Sequence, residues 1–102
     1  MNRYETVFVL TPVLSEEQAA QAAAKFRSLL IDLGCRITYE ERWGLKQAPD
    51  LLHKERLAPL EKVTGHYRLF EYETADSGVV KELEFALKRD EGVLRFVTVR
   101  LG

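Results

Sequence analysis

The sequence predicts an α+β sandwich in the order strand, helix, strand, strand, helix, strand, with a four-stranded antiparallel sheet and both helices on one of its faces. Three observations carry that prediction. The chain opens and closes on β-branched and aromatic runs, Arg3 to Leu10 and Val93 to Leu101; two segments repeat apolar residues at steps of three or four; and turn chemistry separates the elements.

The first run, Arg-Tyr-Glu-Thr-Val-Phe-Val-Leu, alternates and then ends in four apolar residues, the pattern of a strand covered on both faces at its far end. Thr11-Pro12-Val13-Leu14 breaks it, and Ser15 stands three residues before Gln18 in a capping-box arrangement that starts a helix at about Glu16. Ala19, Ala23, Phe26, Leu30 and Leu33 line one face of that helix, which Gly34 ends. From Cys35 the period drops to two. Ile37, Tyr39, Trp43 and Leu45 are expected on one face of the second strand, interrupted by Glu41, with Arg36, Thr38, Glu40, Arg42 and Lys46 on the other. Gly65 turns into a third strand over His66 to Glu73. Asp76-Ser77-Gly78 supplies cap chemistry for a helix over about 78–89 carrying Val80, Leu83 and Leu87, and Asp90-Glu91-Gly92 ends it before the last strand. Arg95 and Arg100 fall on opposite faces of that strand by parity. Two such split units make the ferredoxin-like sandwich, which predicts one domain over 1–102.

Residues 48–64 do not fit a tight hairpin, for which two to five residues are usual. Asp50 is placed to cap a short helix with Leu51, Leu52 and Lys54 to Leu57, between Pro49 and Pro59.

Lys+Arg 15 against Asp+Glu 16 gives a net charge of −1, so binding of nucleic acid by bulk electrostatics is disfavoured and any RNA site must be local. No apolar run approaches the roughly 18 residues of a membrane helix, and the N-terminus lacks the pattern of a secretory signal. The single Cys35 supplies neither a disulfide nor a metal cage, which fits a reducing cytosol; it reads as a packing residue. His53 and His66 have no ligand partner at a recognisable spacing, and neither a metal nor another cofactor is expected. Ser15 reads as a cap rather than a nucleophile, and Glu40 and Glu41 point to opposite faces of a strand, so no catalytic pair is formed.

Tyr4-Glu5, Trp43-Gly44-Leu45-Lys46, Gly65-His66-Tyr67 and Lys88-Arg89-Asp90-Glu91-Gly92-Val93-Leu94-Arg95-Phe96 occur in an order that resembles the family of the sixth small-subunit ribosomal protein of bacteria, over roughly 1–46 and 57–102. The resemblance implies a binding protein without catalytic chemistry, docked on small-subunit ribosomal RNA in the cytoplasm together with the strongly basic eighteenth small-subunit protein. Such a partner would supply much of the phosphate neutralisation that this near-neutral chain lacks. The departure lies at about 47–64. Family members pass almost directly from the Trp-Gly-Leu-Lys strand into a Leu-Ala-Tyr-Pro-Ile segment, whereas here about nine residues look inserted before Leu57-Ala58-Pro59-Leu60, which is the expected partner-docking counterpart. The sequence also ends at Gly102, where many relatives carry a polar or basic tail.

Arg3, Tyr4, Arg42, Trp43, Lys46, Lys88, Arg89 and Arg95 are therefore the candidate RNA-binding groups, as guanidinium bridges to phosphate and aromatic platforms for bases; Arg100 is a weaker candidate. The plain alternative is that the cations solvate the surface and that Tyr4 and Trp43 belong to the core. A second reading keeps the fold without the RNA role, as a divergent or redesigned scaffold whose leucines near 51–60 drive self-association. An acylphosphatase-like enzyme is disfavoured because Thr11-Pro12-Val13-Leu14 offers neither Arg nor Gly for a phosphate loop. An RNA-recognition-motif reading of Gly65 to Phe70 lacks the basic-Gly-aromatic start.

Overall fold

The computed structural model describes residues 1–47 and 63–102, and over 45–47 the backbone alone. β1 (Asn2–Leu10), α1 (Glu16–Asp32), β2 (Arg36–Gln47), β3 (Thr64–Thr74), α2 (Gly78–Arg89) and β4 (Val93–Arg100) follow in the expected order. Every strand pair is antiparallel and the sheet order is β2-β3-β1-β4, which makes β1 and β3 central and is the ferredoxin-like arrangement. The short helix expected from Asp50, and Leu57, Ala58, Pro59 and Leu60, lie outside the described residues.

The helix starts follow from local chemistry. Ser15 Oγ accepts from the Gln18 amide at 3.1 Å and the Gln18 side chain accepts from the Ser15 amide at 2.8 Å, a complete capping box. Before α2, Asp76 takes the part expected of the turn as a whole: its Oδ1 accepts from the Gly78 amide at 2.8 Å, while Ser77 makes no side-chain cap.

The two helices close one face of the sheet over Tyr4, Phe8 and Leu10 of β1, Phe70 and Tyr72 of β3, and Ala19, Ala23, Phe26, Leu30, Val79, Leu83 and Leu87 of the helices. Phe8 packs edge-on against Phe26, with ring centroids 5.4 Å apart, and tilted against Phe70 at 5.5 Å. Each such fully buried side chain contributes about 1.5–3 kcal/mol. One polar chain crosses this core: Thr6 Oγ1 bonds Tyr72 Oη at 2.9 Å and Thr98 Oγ1 at 2.8 Å. Burial pushes the Tyr72 phenol up to about 12, against the opposing hydrogen bond from Thr6.

A second apolar cluster, Val7, Val9, Tyr67 and Leu69, lies on the opposite face, with Trp43, Val63 and Val97 packed against it. Val7, Phe8, Val9 and Leu10 are all buried, so β1 is covered on both faces at its far end, as its sequence predicts.

β2 departs from the expected alternation. Ile37 packs into the helix-side core, but Trp43 packs into the opposite cluster, so the two do not share a face. The reason is two register irregularities against β3, between Ile37 and Tyr39 and between Arg42 and Gly44; each extra residue flips the faces that follow. Gly44 has φ +71°, the left-handed conformation that a bulge of this kind requires and a side chain disfavours. β3 is pinned from the other side by Gly65, whose absent Cβ would stand 2.3 Å from the Leu10 carbonyl oxygen.

Candidate nucleic-acid interface

Register, rather than sequence distance, determines which candidate groups meet. Arg95 of β4 lies opposite Val9 of β1, Val9 opposite Tyr67 of β3, and Tyr67 opposite Gly44 of β2. These positions form one row across the face away from the helices, with Arg95 on one edge strand and Trp43 beside Gly44 on the other. Trp43 is half-buried and tilts against Tyr67 with ring centroids 6.4 Å apart, and the Tyr67 hydroxyl donates to the Val63 carbonyl at 2.5 Å. Arg95 is exposed, and its guanidinium donates to the neighbouring Leu94 carbonyl at 2.9 Å.

The end of the sheet that carries this row also receives α2. The Thr11 amide donates to the Gly92 carbonyl at 2.7 Å, tying the exit of β1 to the turn before β4. Lys88 and Arg89, both exposed, occupy the last turn of α2, where the helix dipole favours cations. The Arg89 guanidinium lies 5.2 Å from the centroid of the exposed Phe85 ring. Asp90 organises the turn: its carboxylate pairs with Lys25 of α1 and accepts from the Gly92 amide at 2.8 Å. Burial raises the Asp90 carboxyl, but the hydrogen bonds from Lys25 and Gly92 outweigh it and hold the group below its ordinary value. Asp90 is thus a turn-forming residue, as its position in the sequence suggests.

Arg42, Trp43, Lys88, Arg89 and Arg95 therefore gather at one end of the sheet, the end from which β2 leaves towards 48–62 and at which β3 re-enters. They do not form one flat patch. Trp43 and Arg95 belong to the face away from the helices, whereas Arg42 is on the helix side, its Nη1 3.9 Å from Glu16 Oε2 of α1. The Lys46 side chain lies outside the described residues. Arg3 stands at the opposite end, six positions back along β1 from Val9, roughly 20 Å away. Arg3 is exposed and paired in register with Glu73, while Arg100, also at that end, donates to Asn2 Oδ1 at 2.8 Å.

Tyr4 corrects an expectation. It is 7% exposed, and its ring lies 5.8 Å from Tyr72 in the helix-side core, so it offers no platform to a base. The cause is parity: Tyr4 shares the face of Phe8 and Leu10. The carboxylates behave as expected, with Glu40 held on the helix side by the Arg27 guanidinium and Glu41 accepting from the Tyr39 hydroxyl at 3.1 Å. Cys35 is buried, and that burial raises its thiol above the ordinary value. Sequence reasoning missed Arg68, a 7% exposed arginine on the helix side of a central strand. Its parity with Phe70 and Tyr72 was the available signal. Among the described residues, no group of three His, Cys, Asp or Glu side chains is placed to hold a metal ion, and no helix is long and apolar enough to cross a membrane.

A ferredoxin-like sandwich with cations and a tryptophan collected at one end of its sheet defines a small α+β scaffold. Comparison with known proteins narrows that class. Residues 3–100 match the family Ribosomal protein S6. The small ribosomal subunit protein bS6 of Phocaeicola vulgatus is 44% identical over 101 residues, spanning 99% of this chain and 82% of that protein. Its counterpart in Parabacteroides distasonis is 46% identical over 100 residues, spanning 98% and 78%. The crystal structure of 30S ribosomal protein S6 from Thermotoga maritima superposes with a TM-score of 0.79 at 19% identity, covering 98% of this chain and 87% of that one. This chain belongs to the ribosomal protein S6 family, whose members are named as ribosomal proteins of the small subunit and not as enzymes.

Proposed function

We propose that this chain is a structural protein of the bacterial small ribosomal subunit in the cytoplasm, and that it binds small-subunit ribosomal RNA together with the basic eighteenth small-subunit protein. The observation that carries the reading is the family match across 3–100, which takes in every strand and helix described except Asn2 of β1. The geometry supports it: Arg42, Trp43, Lys88, Arg89 and Arg95 present guanidinium, ammonium and indole groups at one end of the sheet, while Arg3 offers a second, separate contact. Guanidinium groups bridge phosphate oxygens bidentately, and a half-exposed indole stacks on an unpaired base. With a net charge of −1, the chain holds RNA through local contacts and leaves much of the phosphate neutralisation to its partner.

In this reading 1–102 is a single domain elaborated by an inserted segment at about 47–64, and Leu57, Ala58, Pro59 and Leu60 form the partner contact. β2 ends at Gln47 and β3 begins at Thr64, paired with it, at the end of the sheet where the cations gather. The test is binding of the folded chain to central-region ribosomal RNA, with and without the basic partner, across a salt series. Salt-sensitive binding that needs the partner is the expected result. Failure of the folded chain to join the RNA even with the partner present would overturn the proposal.

A further inference from the structure

Among the described residues, Arg68 is a buried cation without a counter-ion. It lies on the helix side of β3, in register with Phe8 on one side and with Arg42 on the other, so a like charge stands directly across the strands. Among the described residues its guanidinium makes no ion pair, and its Nε is buried with no hydrogen-bond partner. The carboxylates nearby are engaged elsewhere or stand too far off. Glu40 is taken by Arg27, whose Nε donates to its two oxygens at 3.0 and 3.1 Å. Glu16 stands 3.9 Å from Arg42 and 3.7 Å from His66 Nδ1. Burial, reinforced by Arg42, holds the Arg68 guanidinium below its ordinary range.

His66 repeats the pattern two residues away on the same face. It is 4% exposed, and its Nε2 meets the Leu14 carbonyl at 2.8 Å, which places the ring proton there. Its Nδ1 is buried and, among the described residues, without a hydrogen bond. Two unsatisfied nitrogens on adjacent helix-facing positions of a central strand are costly, because each forgoes water without gaining a partner. Above them stands the first turn of α1, whose amide dipoles favour negative charge. Glu16 and Arg42 are both more than half exposed.

We infer that Arg68 and Arg42, beneath the first turn of α1, form an oxyanion subsite that takes a phosphate group, with the Glu16 carboxylate yielding its place. A tetrahedral phosphate offers acceptors in several directions and reaches Arg68 as well as Arg42, whereas the planar Glu16 carboxylate hydrogen-bonds neither. The recognising chemistry is the same for a free phosphate and for a phosphate of a nucleic-acid backbone. The subsite does not depend on the ribosomal RNA reading, which stands or falls on partner-dependent binding.

The test uses the full chain, inorganic phosphate, acetate and a ten-nucleotide oligouridine, at matched ionic strength and pH. The Arg68 Nε–Hε resonance is expected to shift saturably with phosphate. Near tenfold saturation, phosphate should raise the unfolding temperature by about 5 °C over chloride. Arg68→Met is expected to fold cooperatively, because it replaces an unpaired buried cation with an apolar chain of similar length, and to lose the phosphate-specific increment. A shift with oligouridine at lower phosphate equivalents would assign the source to a nucleic-acid backbone, and a shift with phosphate alone to the free ion. A resonance that phosphate leaves in place, an increment that survives in Arg68→Met, or an equal response to acetate would overturn the inference.

Discussion

The two faces of the sheet are built differently. On the helix side, Tyr4, Phe8 and Leu10 carry the apolar core along β1, broken only by the hydrogen-bonded Thr6, and α1 and α2 close over them. On the other side the buried apolar residues are confined to one end, at Val7, Val9, Tyr67 and Leu69, while Arg3, Glu5, Glu71 and Glu73 stand at the other end. A face closed over by helices along its length serves stability. A face that changes character along its strands gives the molecule two distinct ends, and the end with Trp43, Arg95, Lys88 and Arg89 is the one the proposed RNA contact uses. The helix side has its own exception in Arg68, a charge placed where the surrounding residues are packed for burial.

The largest effect expected from breaking this contrast is at the helix-side core. Phe26→Ala removes the ring that packs on Phe8 and should cost about 3–5 kcal/mol in chemical denaturation. A substitution that alters only the close approach of the central strands comes next: Gly65→Ala puts a methyl against the Leu10 carbonyl and should cost about 1–3 kcal/mol, through backbone displacement rather than lost burial.

The turn at the cationic end should be weaker. Asp90→Ala removes the Lys25 pair and the acceptor for the Gly92 amide, with an expected loss of about 1–2 kcal/mol. Because the folded carboxyl is held below its ordinary value, this contribution is complete above the unfolded value and is lost as pH falls through the folded one. An acid titration of stability in which Asp90→Ala parallels the parent protein at every pH would contradict that assignment.

Tyr72 makes the opposite, alkaline prediction. Its phenol is raised to about 12, so its contribution is complete below the ordinary value of 10.0 and declines as pH rises towards 12. Tyr72→Phe should remove that part of the alkaline decline at a cost near neutrality of about 1 kcal/mol, since Thr6 keeps its bond to Thr98. An unchanged alkaline limb in the variant would refute the assignment.

These residues also show what was legible in the sequence. Ser15 and Gln18 announce the start of α1 because a capping box is a local arrangement, complete within four residues. The four-apolar run at the end of β1 reported double-sided coverage for the same reason. β2 was misread at Ile37 and Trp43 because bulges are set by pairing with β3, and strict alternation cannot register an extra residue. Tyr4 was legible as core from its parity with Phe8, yet its aromatic character beside Arg3 suggested a binding role. The gathering of Arg42, Trp43, Lys88, Arg89 and Arg95 was not legible, because these residues come together only through strand order and register. Arg68 is legible only through its parity with Phe70 and Tyr72, because its burial follows from β3 being a central strand beneath the helices.

The most direct test of the central claim is the salt dependence of ribosomal RNA binding, in the presence of the basic partner, for the parent chain and for a variant carrying Lys88→Gln, Arg89→Gln and Arg95→Gln. If the cationic end of the sheet meets the RNA, the slope of log affinity against log salt should fall by about 2–3 in the variant, and Arg3→Gln alone should lower it by at most about one. A triple variant that folds and binds with the parent's slope and affinity would contradict the account.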